Sequence, residues 1–323
     1  MRAIEVPEYG ETDVLTVVED EIPEPGEGEV RIAVEAAGIN FADIMQRRGH
    51  YPGGPEPPFR PGFEAAGTVD AVGEGVDYDV GDRVVGLVGE GGYAEYAVTG
   101  ADSLFPVPEG MSFAEAAGFP VQFLTAHNCL FEWGGLESGE SVLIQAAAGG
   151  VGTAAVQLAN RASAEVFGTA STQEKRDLAA ELGCDHPIDY TSEDFVEVVH
   201  EHTDGEGVDL ALDGVGGDVF ADSFRATKEF GRVVPYGAAS GEPGTIEATD
   251  VFFRNQSVVG YHLGNAMQTR PQQVLQAVPD LTEGLESGEL EVIVGERFAL
   301  EDAADAHEFI EDRKSSGKVV LEP

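Results

Sequence analysis

Two rhythms of apolar and polar positions divide the chain. Up to about residue 121, apolar residues alternate over short runs broken by glycine and proline: "EVRIAVEAAGI", "FEAAGTVDAVGEG" and "DRVVGLVGEGGYAEYAVT". Period-two alternation between closely spaced turn signals predicts a compact, β-barrel-like domain. From about Val121 the pattern becomes strand, helix, strand. "SVLI" at 141–144 precedes a helix that carries Val151, Ala154, Ala155, Leu158 and Ala159 on one face, small residues suited to close packing on a sheet. Further strands read at "EVFGT", "HPIDY", "VDLALDG", "GRVVPYG" and "SVVGYHL", with helices between most of them. The fold class is α/β, and this second part is a parallel, doubly wound sheet covered on both faces.

Ser171 and Glu174 form an S-x-x-E capping box for the second crossover helix, and Gly183 sits where that helix should stop. A last helix near "RPQQVLQAVPDLTEGL" leads to "GERFAL", "EDAADAHEFIEDRK" and "GKVVLEP", which fall outside the parallel rhythm. This tail is expected to return and complete the first domain. The expected division is 1–121, 122–262 and 263–323.

The stretch "LIQAAAGGVGTAAVQLA" fits a strand, a tight turn and a helix whose first amides face a dinucleotide pyrophosphate. Gly149 would let backbone approach the phosphates, and Gly152 would let the helix lie close on the sheet. Ala147 stands where the G-x-G-x-x-G fingerprint has its first glycine, a role of turn geometry that a small residue can serve. Ala148, Gly149, Gly150, Val151 and Gly152 are the candidate cofactor-binding turn. An NAD site places an acid about 20 residues on, for the ribose hydroxyls; here Ala170 and Ser171 occupy that place and Lys175 and Arg176 follow. The chain has four lysines (175, 228, 314 and 318), and cations here suit the extra phosphate of NADPH. A solvated helix face would also accommodate them.

Composition narrows the setting. A length of 323 residues favours two cores. No apolar run approaches the ~20 residues needed to span a bilayer, and the N-terminus has no signal-peptide core, so a cytoplasmic protein is expected. Cys129 and Cys184 lack the spacing of metal ligands or of a disulfide framework. The 60 acidic and 18 basic residues give a net charge of -42, spread along the chain. Such charge argues against nucleic acid and anionic membrane as partners. It also destabilises a compact state unless salt screens it, which points to the cytoplasm of a salt-accumulating halophile.

Taken together, "AAAGGVGTAAVQLA", "ELGCDHPIDY", "GINFADIMQRRGHYP", "PGFEAAGTV" and "KSSGKVVLEP" resemble the zinc-independent quinone oxidoreductases of the medium-chain dehydrogenase/reductase superfamily, nearly end to end and in order. The resemblance implies a GroES-like catalytic domain built from both chain ends around a Rossmann cofactor domain. It implies hydride transfer from NADPH to a quinone or an α,β-unsaturated carbonyl in the interdomain cleft, and a homo-oligomer, a dimer before a tetramer. Zinc-dependent relatives carry Cys and His where "GINFAD" and "GFE" place Asn40 and Phe63, neither a credible zinc ligand. His200 and His202, two residues apart on a helix, do not face one way and read as solvent-exposed.

By the same resemblance Asn40 and Tyr51 line the cleft near the nicotinamide, Asn40 able to bond a carbonyl or a ribose hydroxyl and Tyr51 able to donate a hydrogen bond or proton. Tyr51 reads equally as a loop aromatic packed on the barrel. Thr125 would sit by the nicotinamide amide, Tyr190 near the adenosine phosphate and Ser240 in a loop that meets the cofactor. Arg313 would reach the 2'-phosphate. Each also reads as an ordinary helix, strand-end, loop or surface residue. Two further functions stay open: a 2-enoyl thioester reductase with Tyr51 as proton donor, its phosphorylated substrate drawn by Arg47, Arg48 and Arg60, and an NADPH-binding structural or sensory protein with little turnover. The charge generates the first prediction: dialysis from molar to low salt should abolish the helical circular-dichroism signal, whereas full stability in low salt would count against the halophilic reading.

Overall fold

A computed structural model describes residues 1–323, which form two compact units: Met1–Val121 with Val292–Pro323, and Gln122–Glu291. In the first unit, β1 (Arg2–Glu5) pairs with β2 (Thr16–Glu19) as a hairpin ribbon. β3 (Glu29–Ile39), β4 (Glu64–Val72), β5 (Arg83–Leu87), β6 (Tyr96–Gly100) and β7 (Leu104–Pro106) follow. The second unit contributes β8 (Ser141–Ile144), β9 (Glu165–Ala170), β10 (His186–Asp189), β11 (Val208–Asp213), β12 (Thr227–Pro235) and β13 (Ser257–Val258). The chain then rejoins the first unit with β14 (Val294–Ala299) and β15 (Lys318–Glu322).

The first unit is a seven-stranded sheet in the order β14-β15-β3-β4-β5-β7, with β6 also on β3. β3 makes it curl. One edge pairs with β4, with register shifts at Arg31/Ile32 and Val34/Ala36; the other serves β6 over Glu29–Ala33 and β15 over Ala37–Ile39. Bulges of this kind bend a strand and increase its twist. Ile4, Val30, Ile32, Ala65, Val84 and Val319 close the core from inside.

The second unit has six parallel strands in the order β10-β9-β8-β11-β12-β13. Counted from β8 this is 3-2-1-4-5-6, the order that binds dinucleotides where it reverses, between β8 and β11. β8 and β11 are buried along their whole length, as a sheet covered on both faces requires. No helix of the molecule is long and apolar enough to cross a membrane.

The structure corrects three readings. Residues 263–291 belong to the second unit rather than to the returning tail. Asn128 donates to the Val274 carbonyl, Gln157 exchanges bonds with the Glu291 backbone, and Arg161 pairs with Asp280 at 3.0 Å. The single last helix is two, Pro271–Leu275 and Val278–Ser287, because Pro279 has no N–H to give a continuous helix and is tolerated only in a first turn. The helix Gln173–Glu181 is capped by Thr172, whose hydroxyl accepts from Lys175 N at 3.3 Å, and Ser171 lies outside the cap.

The turn after β8 differs in detail too. Its left-handed residue is Ala146, at φ 54°, not Ala147. That conformation costs an alanine about 1–2 kcal/mol and is held by bonds from Ala146 N to Thr169 Oγ1 (3.1 Å) and Ala147 N to Thr169 O (2.9 Å). Gly152 is needed where the helix Gly150–Arg161 meets this turn, since a Cβ there would overlap the Ala146 carbonyl oxygen. Gly152→Val should therefore destabilise the protein by about 1–3 kcal/mol in urea denaturation at high salt; an unchanged midpoint would refute this packing role.

Candidate functional site

In the second unit the sequence-selected residues gather at the carboxyl ends of the parallel strands. Gly149 caps the helix Gly150–Arg161 just past β8. A Cβ on Gly150 would overlap the Gln122 side chain, so this residue too must be small. Ala148 is buried, while Gly149, Gly150 and Val151 are half-buried. Ser171 follows the end of β9, and Lys175 lies in the first turn of the next helix, half-buried, its ammonium pulled down by burial. Arg176 is engaged by Asp189 at 2.9 Å. Tyr190 is exposed just beyond β10, and Ser240 is exposed in the loop after β12, bonded to the Glu242 backbone. Thr125 is buried in the helix Pro120–His127.

Sequence reasoning missed Asp213 and the Gln145–Thr169 pair at these strand ends. Asp213 is fully buried at the end of β11; its Oδ1 accepts from Val215 N (2.7 Å) and Gly216 N (3.1 Å), while Oδ2 has no partner. Burial raises its carboxyl, against those two bonds. Thr169 donates to Gln145 Oε1 at 2.7 Å, and Gln145 donates to Ser223 at 3.2 Å, which braces the turn from below.

In the first unit, Asn40 caps the helix Phe41–Arg47 in a capping box with Asp43. Its side chain is oriented by charge: Nδ2 donates to Glu64 Oε1 at 2.9 Å, and Oδ1 accepts from Lys318 Nζ at 2.8 Å. Lys318 and Glu64 form a direct ion pair, 1% and 0% exposed. Glu64 Oε2 also accepts from Val121 N at 2.9 Å. Gly38 makes room for the pair, because a Cβ there would overlap the Ala117 carbonyl and Lys318 Cε. Glu64 and Lys318 were not singled out from sequence. The available signals were a glutamate and a lysine set directly against apolar strand runs, "GFEAAG" and "GKVVL", and one of only four lysines.

Tyr51 is half-buried beyond that helix, its ring centroid 5.8 Å from that of Phe63, and burial first and the Asp43 charge second push its phenol up. Arg313 is exposed, at φ 57° past the helix Ala303–Glu311. The arginines near Tyr51 are committed: Arg47 to Glu311 at 2.7 Å, Arg48 to Glu11 at 2.7 Å and Arg60 to Asp20. The free basic rim expected of them is therefore not formed. His200 and His202 each bond a backbone carbonyl, of Arg225 and Val198. No group of three or more His, Cys, Asp or Glu stands together as metal ligands do.

Comparison with known proteins agrees with this architecture. Residues 26–109 match the alcohol dehydrogenase GroES-like domain and residues 150–280 the domain described as zinc-binding dehydrogenase. The chain is 39% identical to a quinone oxidoreductase-like protein 2 homolog of Nematostella vectensis, over 94% of this chain and 85% of that one. It is 37% identical to the human synaptic vesicle membrane protein VAT-1 homolog, over 93% and 80%. The structure of Escherichia coli quinone oxidoreductase complexed with NADPH superposes with a TM-score of 0.94 at 33% identity, covering 100% of both chains. That of CurK enoyl reductase does so with 0.90 at 33%, covering 99% and 98%. The chain belongs to the medium-chain dehydrogenase/reductase superfamily of oxidoreductases, among its quinone oxidoreductase-like members.

The buried pair predicts a charge-coupled stability. Lys318→Met leaves Glu64 buried without a cation and should cost about 3–5 kcal/mol. Adding Glu64→Gln, which removes the orphaned charge and keeps an acceptor for one of Asn40 and Val121, should recover part of that loss. Urea denaturation of both variants at high salt checks this: equal losses would contradict it.

Proposed function

We propose that this protein is an NADPH-dependent, zinc-free reductase of quinones or α,β-unsaturated carbonyls. The observation that carries the cofactor reading is the end of β9, where Ala170 and Ser171 take the place of a ribose-binding acid and Lys175 stands in the adjoining turn. NADPH supplies a hydride when bound. The amides at the start of the helix Gly150–Arg161 would hold its pyrophosphate, the Lys175 ammonium its 2'-phosphate, with Ser171, Tyr190, Ser240, Thr125 and Arg313 as further contacts. The buried Asp213 Oδ2, unmet in the protein, fits a site that receives a hydroxyl donor.

For the acceptor, the first unit offers Asn40 and Tyr51. Asn40 has one strong amide bond to Glu64 and only a 3.5 Å approach of Nδ2 to the Gly38 carbonyl, so one N–H can turn to a carbonyl oxygen. The Lys318 ammonium on Oδ1 polarises the amide and makes that N–H a better donor. Tyr51, a phenol whose ionisation burial disfavours further, can bond the developing oxyanion or give it a proton. Zinc does not fit here: Asn40 Oδ1 already faces a lysine ammonium, and Phe63 offers no donor. Support for a quinone comes from the names of relatives; the likeness to an enoyl reductase favours a second reading, 2-enoyl thioester reduction with Tyr51 as acid. The committed arginines weigh against that reading's phosphorylated handle. A homodimer in a salt-rich cytoplasm completes the proposal.

A panel of NADPH and NADH with quinones, enones and enoyl thioesters at high salt tests it. NADPH should be preferred, and Lys175→Ala should raise its KM about ten-fold or more with little effect on NADH. Tyr51→Phe should cut turnover steeply only if enoyl thioesters are the substrates. NADPH binding without oxidation by any acceptor would sink the enzyme reading.

A further inference from the structure

A buried hydrogen-bond chain in the first unit has no part in the roles assigned so far. Arg47, without exposure, donates through Nε to the Gly10 carbonyl at 3.2 Å and through Nη2 to Glu311 at 2.7 Å, and its Nη1 lies 3.0 Å from His307 Nδ1. The other nitrogen of His307 is 3.2 Å from the Tyr93 hydroxyl, and the Tyr93 phenol acts on the Asp43 carboxyl, whose pKa it lowers. All four side chains are fully buried.

Chemistry fixes the direction of this chain. A guanidinium only donates, so His307 Nδ1 must accept, and the ring proton is assigned to Nε2. Burial first and Arg47 second hold the imidazole neutral, its pKa lowered to about 3. Nε2–H then donates to the Tyr93 oxygen, which leaves the phenolic proton for Asp43. Running the chain backwards would put a proton on Nδ1, facing Arg47. Asp43 thus receives two backbone donors, Asn40 N–H at 2.7 Å and Gly62 N–H at 3.0 Å, and the Tyr93 phenol further favours its charged form.

We propose that Asp43, oriented by the one-way chain from Arg47 through His307 and Tyr93, is a positioning residue that sets Asn40 for the acceptor's carbonyl oxygen. It acts through two backbone amides. One fixes the Asn40 cap itself; the other fixes Gly62, two residues before Glu64, which anchors the Asn40 amide. The charged and titratable groups facing the Asp43 carboxylate are Tyr93, Lys318 of β15, Glu64 of β4 and Tyr51 beyond the helix. Burial raises its carboxyl to about 7, opposed by the Asn40 bond, Lys318 and Tyr93. Protonating either oxygen of Asp43 sets a donor against the Asn40 or the Gly62 amide, so one of the two bonds that set Asn40 is weakened. The inference rests on the reading of Asn40 as the group that meets the acceptor.

Tyr93→Phe is the direct test, since it deletes one hydroxyl and keeps the ring. With NADPH and a quinone at high salt, kcat should fall about ten-fold while the KM for NADPH stays within about two-fold. The acid limb of kcat should move to higher pH, because the charged form of Asp43 has lost a donor. His307→Gln, which can offer Arg47 an acceptor and Tyr93 a donor, should lie nearer wild type than His307→Phe. A lower unfolding midpoint with kcat and acid limb unchanged would overturn the inference.

If wild type turns over no acceptor, the functional reading fails instead, and unfolding alone decides the inference. Without its phenol donor, Asp43 in folded Tyr93→Phe has a pKa raised further above the unfolded value of about 3.9. The folded variant then keeps that proton to higher pH than wild type does, so its stability relative to wild type should be level at acid pH and fall as pH rises through about 7. A stability gap that does not change with pH would overturn the proposal.

Discussion

The first unit is organised around a cation and an anion buried against each other, Lys318 and Glu64. Charges placed where water cannot reach them are tolerated only if each remaining valence is met. Here the leftovers are met by Asn40 and by Val121 N, and the backbone is kept bare at Gly38 so that the ammonium can come close. The constraint is strict in its consequences. It fixes which end of the Asn40 amide points where, ties β15 to β4 across β3, and makes one carboxamide with a set polarity out of a residue that would otherwise flip freely.

On the proposed function, the second unit meets a different demand, which is to bring backbone close to a polyanion. It does so with missing side chains rather than with charges. Gly152 lets the helix sit on the turn, Gly150 clears Gln122, and the strained Ala146 is braced through Thr169 and Gln145. In a protein of net charge -42, an anion site has to come from oriented amides and few cations. Of the chain's few lysines, Lys228, Lys314 and Lys318 each have a carboxylate partner.

Much of this was legible in the chain. Alternation marked β3, β4 and β5, and helical spacing marked the apolar face of Gly150–Arg161, because burial imposes period directly on sequence. Gly152 was readable for its packing role. Boundaries were less so. The unit edge at Glu291 depends on Asn128, Gln157 and Arg161 reaching residues more than a hundred positions away, and no local pattern carries that. The cap slipped by one because Ser171 and Thr172 are equally capable hydroxyls. The buried charges were missed for a physical reason: in a chain with 60 acids, Asp43 and Glu64 look like all the others, and only tertiary partners distinguish them.

The Lys318–Glu64 pair also has a consequence in time. The ribosome makes Lys318 254 residues after Glu64, with the whole second unit between them. For all of that interval β4 carries a glutamate that has no cation to be buried with, and β3 lacks its neighbour β15. The first unit cannot be completed before then, whereas every residue of the second has already been made. The unit whose synthesis begins first is thus the one completed last, and β15 brings the charge that Glu64 is paired with.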